Sequence, residues 1–248
     1  MARKHYSNRR RRRGRFAFLY KLLSVLVICA AIIAAMTLFF KVETVEISGA
    51  ERYTEQEILE ASGVSMGDNL YLLNKYTVAN SITQAKPYIE DVRINRKAPS
   101  TLLIQVTEGQ AAAVIAQGGA QWVITSQGKI VEKTVRSDLP PVDGCVLVEP
   151  KVGGKIQLEE ENDSTELKAL LTAMEQAGLL NQLQGIHLDD AGKVILDYMD
   201  RFVVEIPRGA DYAAKLYKLN RAIEKLESNE TGTFNMSDDE KTFFIPAK

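Results

Sequence analysis

Two histidines, two cysteines and 32 carboxylates are the side chains from which this 248-residue chain could assemble catalytic chemistry. His187 stands in Ile186-His-Leu-Asp-Asp190, a cluster that invites a metal or acid–base reading. The same stretch, continued by Ala191-Gly192, is also ordinary strand-and-turn chemistry, because Asp and Gly favour tight hairpin turns. Successive strand residues point to opposite faces, so His187 and Asp189, not Asp190, would share one. One histidine and one carboxylate do not make a zinc site. His5 lies in a basic N-terminal tail, and Cys145 has no histidine placed by any motif to activate it, so it reads as an inert thiol. Glu159-Glu-Glu161 reads as a solvated charge run. No Gly-x-Ser-x-Gly elbow or phosphate-binding loop occurs. Asn162, Asn229 and Asn235 begin N-x-S/T triplets, which occur often by chance. The expected catalytic, cofactor and metal sets are therefore empty, and neither a small-molecule substrate nor an enzyme is expected.

The first 41 residues carry the strongest physical signal. Arg3, Lys4, Arg9, Arg10, Arg11, Arg12, Arg13 and Arg15 are followed, from residue 22 to residue 40, by nineteen residues without a charge. That run has the length of ~20 apolar residues that a bilayer-spanning helix needs. A signal peptide has a shorter apolar core, usually ~7–15 residues, and ends in a small-x-small site, which is missing before Glu43. Arg12-Arg13-Gly-Arg-Phe16 resembles a twin-arginine signal only as far as any five-Arg run does. Positive charge stays on the cytoplasmic side, so Arg9 to Arg13 and Arg15 are expected to set topology and to meet anionic lipid headgroups. Lys21 can snorkel to the same headgroups. Everything after Lys41 is then expected outside the cytoplasm, in a single-pass protein.

Charge is divided accordingly. All 32 acidic residues follow residue 42 and ten of the 31 basic ones precede it, which leaves 21 basic against 32 acidic and a net charge of −11 in the outer part. Such a surface is not that of a nucleic-acid binder. Cys29 falls in the apolar run and Cys145 outside it, so no intrachain disulfide is expected.

Spacing of apolar residues predicts an α+β chain. Val42, Val45 and Ile47 read as a half-buried strand ended by Gly49. Thr54-Glu-Gln-Glu57 is a capping box that opens a short helix. Gly67-Asp-Asn69 is a turn, and a second helix is expected from Asn74 with Val78, Ile82 and Ala85 on one face and Pro87 closing it. Strands follow over 89–97 and 101–107. The order β-α-α-β-β buries its apolar set when both helices pack on one face of a small sheet.

These residues resemble a POTRA domain, in the form found in the FtsQ/DivIB family of bacterial division proteins. The matching pieces are Val42-x-x-Val45-x-Ile47-x-Gly49, Gly67-x-Asn69-Leu70, Pro87-Tyr-Ile89, and Val92-x-Ile94-x-Arg96-x-x-Pro99-x-x-Leu102-x-Ile104-x-Val106-x-Glu108. After Glu108 the family often has Pro then Ala, whereas this chain reads Gly109-Gln-Ala-Ala-Ala113.

Beyond residue 110 the expected elements are strands over 111–116, 121–125 and 129–132, a rigid loop Leu139-Pro-Pro-Val-Asp-Gly144, a short strand over 146–148 and a mobile polar crossing over 151–163. Asp163 is expected to start a helix striped by Leu167, Leu170, Leu171, Met174 and Ala177. An antiparallel meander over 186–188, 194–198 and 202–206 leads to a helix marked by Leu216, Leu219, Ile223 and Leu226, and a final hairpin spans 233–236 and 241–245. Trp122-Val-Ile-Thr-Ser-Gln-Gly128, the Leu-Pro-Pro loop and Lys215-Leu-x-Lys-Leu219 resemble the same family more loosely. The division expected is a basic cytoplasmic tail (1–21), a transmembrane helix (22–40), a POTRA domain (42–110), and a larger antiparallel sheet domain with two helices (111–248).

The resemblance implies a non-enzymatic divisome scaffold that binds small bitopic division proteins of the FtsL and DivIC/FtsB type and regulates septal peptidoglycan synthesis, enriched at the septum. Strand addition is the expected binding mode, with Lys241, Thr242, Phe243, Phe244 and Ile245 as the edge. Phe243 and Ile245 would share one face, Thr242 and Phe244 the other. A POTRA-bearing secretion or membrane-assembly module and a membrane-tethered extracytoplasmic enzyme are the alternatives.

Overall fold

The computed structural model describes residues 14–238 and 241–247, with side chains from residue 18 onward. Helix α1 (Gly14–Phe39) is apolar from Phe18 to Phe39, long enough to cross a membrane, and buried nowhere against the rest of the chain. It begins eight residues before the uncharged run, since a helix continues through residues that carry charge.

The chain then forms β1 (Thr44–Ser48), α2 (Glu55–Ser62), α3 (Lys75–Ala85), β2 (Ile89–Lys97) and β3 (Thr101–Glu108). The capping box forms as read: Glu57 N–H donates to Thr54 Oγ1, Thr54 N–H donates to Glu57 Oε2, and Gly63 closes α2 in the left-handed region. Asn74 caps α3 by accepting from Tyr76 and Thr77. β3 is central, parallel to β1 and antiparallel to β2. Ile58, Val78 and Ile82 from the helices meet Ile89, Leu102 and Ile104 from the sheet in one core.

The remainder builds one nine-stranded sheet from β4 (Ala111–Gln117), β5 (Ala120–Thr125), β6 (Ile130–Lys133), β7 (Pro141–Asp143), β8 (Leu183–His187), β9 (Lys193–Tyr198), β10 (Phe202–Pro207), β11 (Gly232–Asn235) and β12 (Phe243–Pro246), in the order β12-β11-β10-β9-β8-β7-β4-β5-β6. Helices α4 (Glu161–Gln176) and α5 (Tyr212–Ile223) pack on it through Leu167, Leu170, Leu171, Leu216 and Leu219.

Several expectations change here. The sheet is mixed and not wholly antiparallel: β7 runs parallel to β4 and β8, and β11 parallel to β10. The stretch read as a rigid Pro loop contains β7, the strand that joins the two halves of the sheet. A three-residue strand that begins at the second of two consecutive prolines shows no alternation by which it can be recognised. Residues 146–148 contribute only a bridge, Leu147 to Leu158. The polar crossing is pinned down: Ile156 and Leu158 are buried, and Ile130 exchanges hydrogen bonds with Gly153 and Gly154. Helix α4 starts two residues before Asp163 and leaves that carboxylate inside its first turn.

β4 is apolar on both faces, and the fold supplies both covers. Ala112, Ala113 and Ile115 face the large core, while Val114, Val123 and Val131 pack with Tyr88 from the small module. Lys129 Nζ donates to Thr83 O at 3.0 Å and Ile89 O at 2.6 Å, and Tyr88 OH donates to Glu132 at 2.5 Å across the same junction. Gly109 belongs here too. Its N–H donates to Tyr88 O, which Pro could not do, and a Cβ at 109 would come within 2.3 Å of Glu90 Oε1.

Candidate partner-binding site

The two ends of the large sheet differ. The outer side of β6 is covered by residues 153–156, whereas β12 is the last strand at the other end with nothing hydrogen-bonded beyond it among the described residues. β12 pairs antiparallel with β11, Thr233 opposite Ile245 and Asn235 opposite Phe243. Ala247 N–H donates to Thr231 O at 2.8 Å, so residues 243, 245 and 247 direct their backbone groups inward. The N–H and C=O of Phe244 therefore face outward, as does the C=O of Pro246. Proline, which has no N–H, sits where the missing donor points to solvent, its usual place in a sheet.

The side chains divide as the alternation requires. Phe244 turns to the helix side and packs against Phe234 at 4.9 Å and Phe202 at 6.1 Å between ring centroids. Phe243 and Ile245 stand on the other face, 52% and 58% exposed. In the row through Ile245 lie Thr233 and Val203, and Val203 is exposed as well. Gly232 permits this packing, because a Cβ there would meet Ile245 O at 2.3 Å and the Phe244 ring at 2.9 Å.

Helix α5 forms a wall beside the edge. Asp211 caps it by accepting from Ala214 N–H. Tyr212, Lys215, Leu216 and Leu219 are its buried face. Burial and the hydrogen bond to Glu166 push the Tyr212 phenol far above its ordinary value. On the outward face, Tyr217, Lys218 and Arg221, with Lys225 from the turn after the helix, join Phe234, Thr242 and Phe244 to line a groove of about 560 Å³. Arg221 lies over the Tyr217 ring at 5.9 Å. Lys215, buried, donates to Met236 O at 2.8 Å and Asp238 O at 2.9 Å and so fixes the segment that leads into β12.

Of the residues expected at the edge, Phe243, Phe244 and Ile245 lie in β12, while Lys241 and Thr242 precede it. Lys241 N–H donates to Asp238 Oδ1, and Thr242 lines the groove. Tyr198 and Phe202 are buried and present no contact surface. Arg9 to Arg13 lie outside the described residues, and Arg15 falls in α1 before the first described side chain. Sequence reading missed the basic wall, although Lys218 and Arg221 stand at i and i+3, the spacing that places side chains on one helix face, with Lys225 following in the turn after the helix.

The residues with catalytic potential are engaged elsewhere. His187 Nε2 is 2.9 Å from Asp197 and Nδ1 is 3.6 Å from Asp143, a strap across β7, β8 and β9. The two carboxylates flank opposite ring nitrogens and do not converge on one point. Asp189, expected on the face of His187, lies after the strand in the lining of another depression. That depression, of about 830 Å³, holds Glu160, Asp163, Glu166 and Arg208. Asp163 pairs with Arg208, and Glu166 accepts from Gly209 N–H and Tyr212 OH. Burial, reinforced by Asp163 and Asp143, pushes the Cys145 thiol up to about 11, away from thiolate chemistry. No group of three His, Cys, Asp or Glu side chains able to hold a metal occurs among the described residues.

Comparison with known proteins is consistent along the chain. Residues 40–108 match the family model for the POTRA domain, FtsQ-type, and residues 113–237 match that for the C-terminal region of cell division protein FtsQ/DivIB. The second match ends before β12. The cell division protein FtsQ of Corynebacterium glutamicum is 27% identical over 186 residues, 72% of this chain and 78% of that one. FtsQ of Geotalea daltonii is 27% identical over 205 residues, 79% and 71% of the two chains. The cell division protein DivIB of Clostridium tetani is 25% identical over 208 residues, 80% and 77%. Among solved structures, the major extracytoplasmic domain of DivIB from Geobacillus stearothermophilus (its trans isomer) is 18% identical with a TM-score of 0.31, covering 50% of this chain and 98% of that one.

Proposed function

The chain belongs to the FtsQ/DivIB family of cell division proteins, and on that premise we propose that it is a non-enzymatic bitopic scaffold of the bacterial divisome. Its basic tail stays in the cytoplasm at anionic lipid, α1 crosses the membrane, and the POTRA and sheet modules act outside, enriched at the septum. Its partners are small bitopic division proteins of the FtsL and DivIC/FtsB type, through which it regulates septal peptidoglycan synthesis.

The observation that carries this reading is the free edge of β12, with apolar side chains on both of its faces. A partner segment that adds as a further strand would bond Phe244 N–H and C=O and lie against Phe243 and Ile245. The small sheet has two edges of its own, but β1 exposes Thr44, Glu46 and Ser48, and β2 exposes Asp91, Arg93 and Asn95. Polar and charged edges of that kind discourage pairing. The Arg221 and Lys225 side chains of the groove suit a partner that continues as an acidic stretch past its strand.

The test is a pull-down from detergent-solubilised membranes with the full chain, a 1–240 truncation and Gly232→Ala, read by mass spectrometry. Small bitopic division proteins should be captured by the full chain and lost from both variants, while residues 42–108 keep their protection from protease. Normal capture by the truncation would end the edge proposal, and enrichment of secretion components instead would end the divisome reading.

A further inference from the structure

We propose that the turn at residues 66–74 of the POTRA module, together with Tyr76 in the first turn of α3, is a lipid-docking element, seated in the outer headgroup layer of the membrane that α1 spans. The proposal rests on the reading of α1 as a membrane span. From Phe18 to Phe39 the helix has 22 apolar-rich residues, about 33 Å at ~1.5 Å per residue, close to the ~30 Å of a bilayer's hydrocarbon core. Phe39 and Phe40 therefore mark the boundary between hydrocarbon and headgroups.

No linker separates that boundary from the POTRA module. Asn69 Nδ2 donates to Met36 O, in the last turn of α1, at 2.9 Å. Its Oδ1 accepts the N–H groups of Tyr71 at 2.9 Å and Leu72 at 3.0 Å. Leu70 N–H donates to Phe40 O and Val42 N–H to Asp68 O, both at 2.8 Å. The Phe40 and Tyr71 rings meet edge to face at 5.0 Å. One side chain thus joins the end of the span to the turn and holds the turn at the level of the last helical turn.

The side chains on this turn suit an interface and not bulk water. Leu72 is 76% exposed and Tyr76 83%, with Met66 and Tyr71 also exposed. Phe39, the last residue of α1, is exposed as well. Aromatic residues and apolar anchors concentrate at the depth where hydrocarbon gives way to headgroups. The single carboxylate of the turn, Asp68, accepts from Ser65 N–H and so is held within the loop. Docking of this turn would fix the tilt of the whole outer region against the membrane plane, which a lone helix and a flexible linker could not do.

The test uses the full chain in vesicles of phosphatidylcholine and phosphatidylglycerol. Trp122, the one tryptophan, is replaced by Phe, and single probes are placed by Leu72→Trp, Tyr76→Trp and, as a control on the large sheet, Val203→Trp. Vesicle flotation is scored first. Probes at 72 and 76 should shift to the blue on reconstitution. They should be quenched severalfold more strongly than the probe at 203, and more by lipids brominated near the headgroup than by lipids brominated deep in the chain. Co-flotation with quenching at 72 and 76 no stronger than at 203 would overturn the proposal while leaving the span intact. Failure to float overturns the span and the proposal together. Burial of the probes only after a protein partner is added would assign the patch to that protein instead.

Discussion

Lys215 is a lysine held almost wholly out of water on α5, where its ammonium meets the carbonyls of Met236 and Asp238. Hydrogen bonds to a charged donor contribute more than neutral ones, and an acceptor left unpaired in a buried place costs about 1–3 kcal/mol. Lys215→Met should therefore lower global stability by about that amount and speed amide exchange over residues 243–246 before it affects the POTRA module, as read by urea denaturation and hydrogen exchange. Tyr88 gives a residue-scale prediction in pH. Burial, with the hydrogen bond to Glu132, raises its phenol from 10.0 to about 12. A raised value in the folded state means stability fully present below the unfolded value and lost as pH rises through the folded one. The wild-type chain should thus lose stability relative to Tyr88→Phe between pH 10 and about 12, measured as the difference of two urea-midpoint titrations. Using the difference removes the contribution of Tyr198, which burial also raises to about 12.

A small apolar cluster and a few polar contacts join the two modules. β5 and β6 receive the small module through the Tyr88 cluster and Lys129, whose ammonium reaches two carbonyls of the other module. Burial lowers the pKa of Lys129, opposed by the nearby Glu90 carboxylate, whose own value burial raises. Glu90 Oε1 has no hydrogen-bond partner among the described residues, while Thr125 and, less strongly, the Lys129 charge favour its ionised form. Lys129→Met should loosen the junction without unfolding either sheet. Spin labels on α3 and α4 should show a broader distance distribution in the variant, and an unchanged distribution would mean that the apolar cluster alone holds the modules.

At the scale of the whole molecule, charge and hydropathy are arranged along one axis. Ten basic residues come before residue 42 and a net charge of −11 after it, with an apolar helix between. Positive charge next to a span resists translocation. Replacement of Arg9 to Arg13 and Arg15 by Ala should lower the fraction of chains whose C-terminal tag is accessible outside intact cells, without changing thermal unfolding of the POTRA and sheet modules. The same axis gives the edge its setting, because the last strand belongs to the module farthest along the chain from the anchor.

Elements whose cause is local can be read from the residues alone. The charge-free run, the Thr54 capping box, the Asn74 cap and the alternating strands over 89–97 and 193–198 each carry their physical reason within a few residues. The motifs at 42–108 were also legible, because the spacing of apolar positions there is a property of the small sheet alone. What neighbours the strands have was decided by tertiary structure. β7 is a strand only because β4 and β8 lie on either side of it, and β11 runs parallel to β10 because α5 carries the chain back across the sheet. The apolar run at 111–116 has no polar face because the small module covers what solvent would otherwise touch. The groove beside β12 takes its basic wall from α5 and the turn after it and its floor from Phe234 and Phe244, and Asn69 reaches Met36 across 33 positions. Local spacing dictates which way a side chain points, and only the packed chain dictates what it meets there.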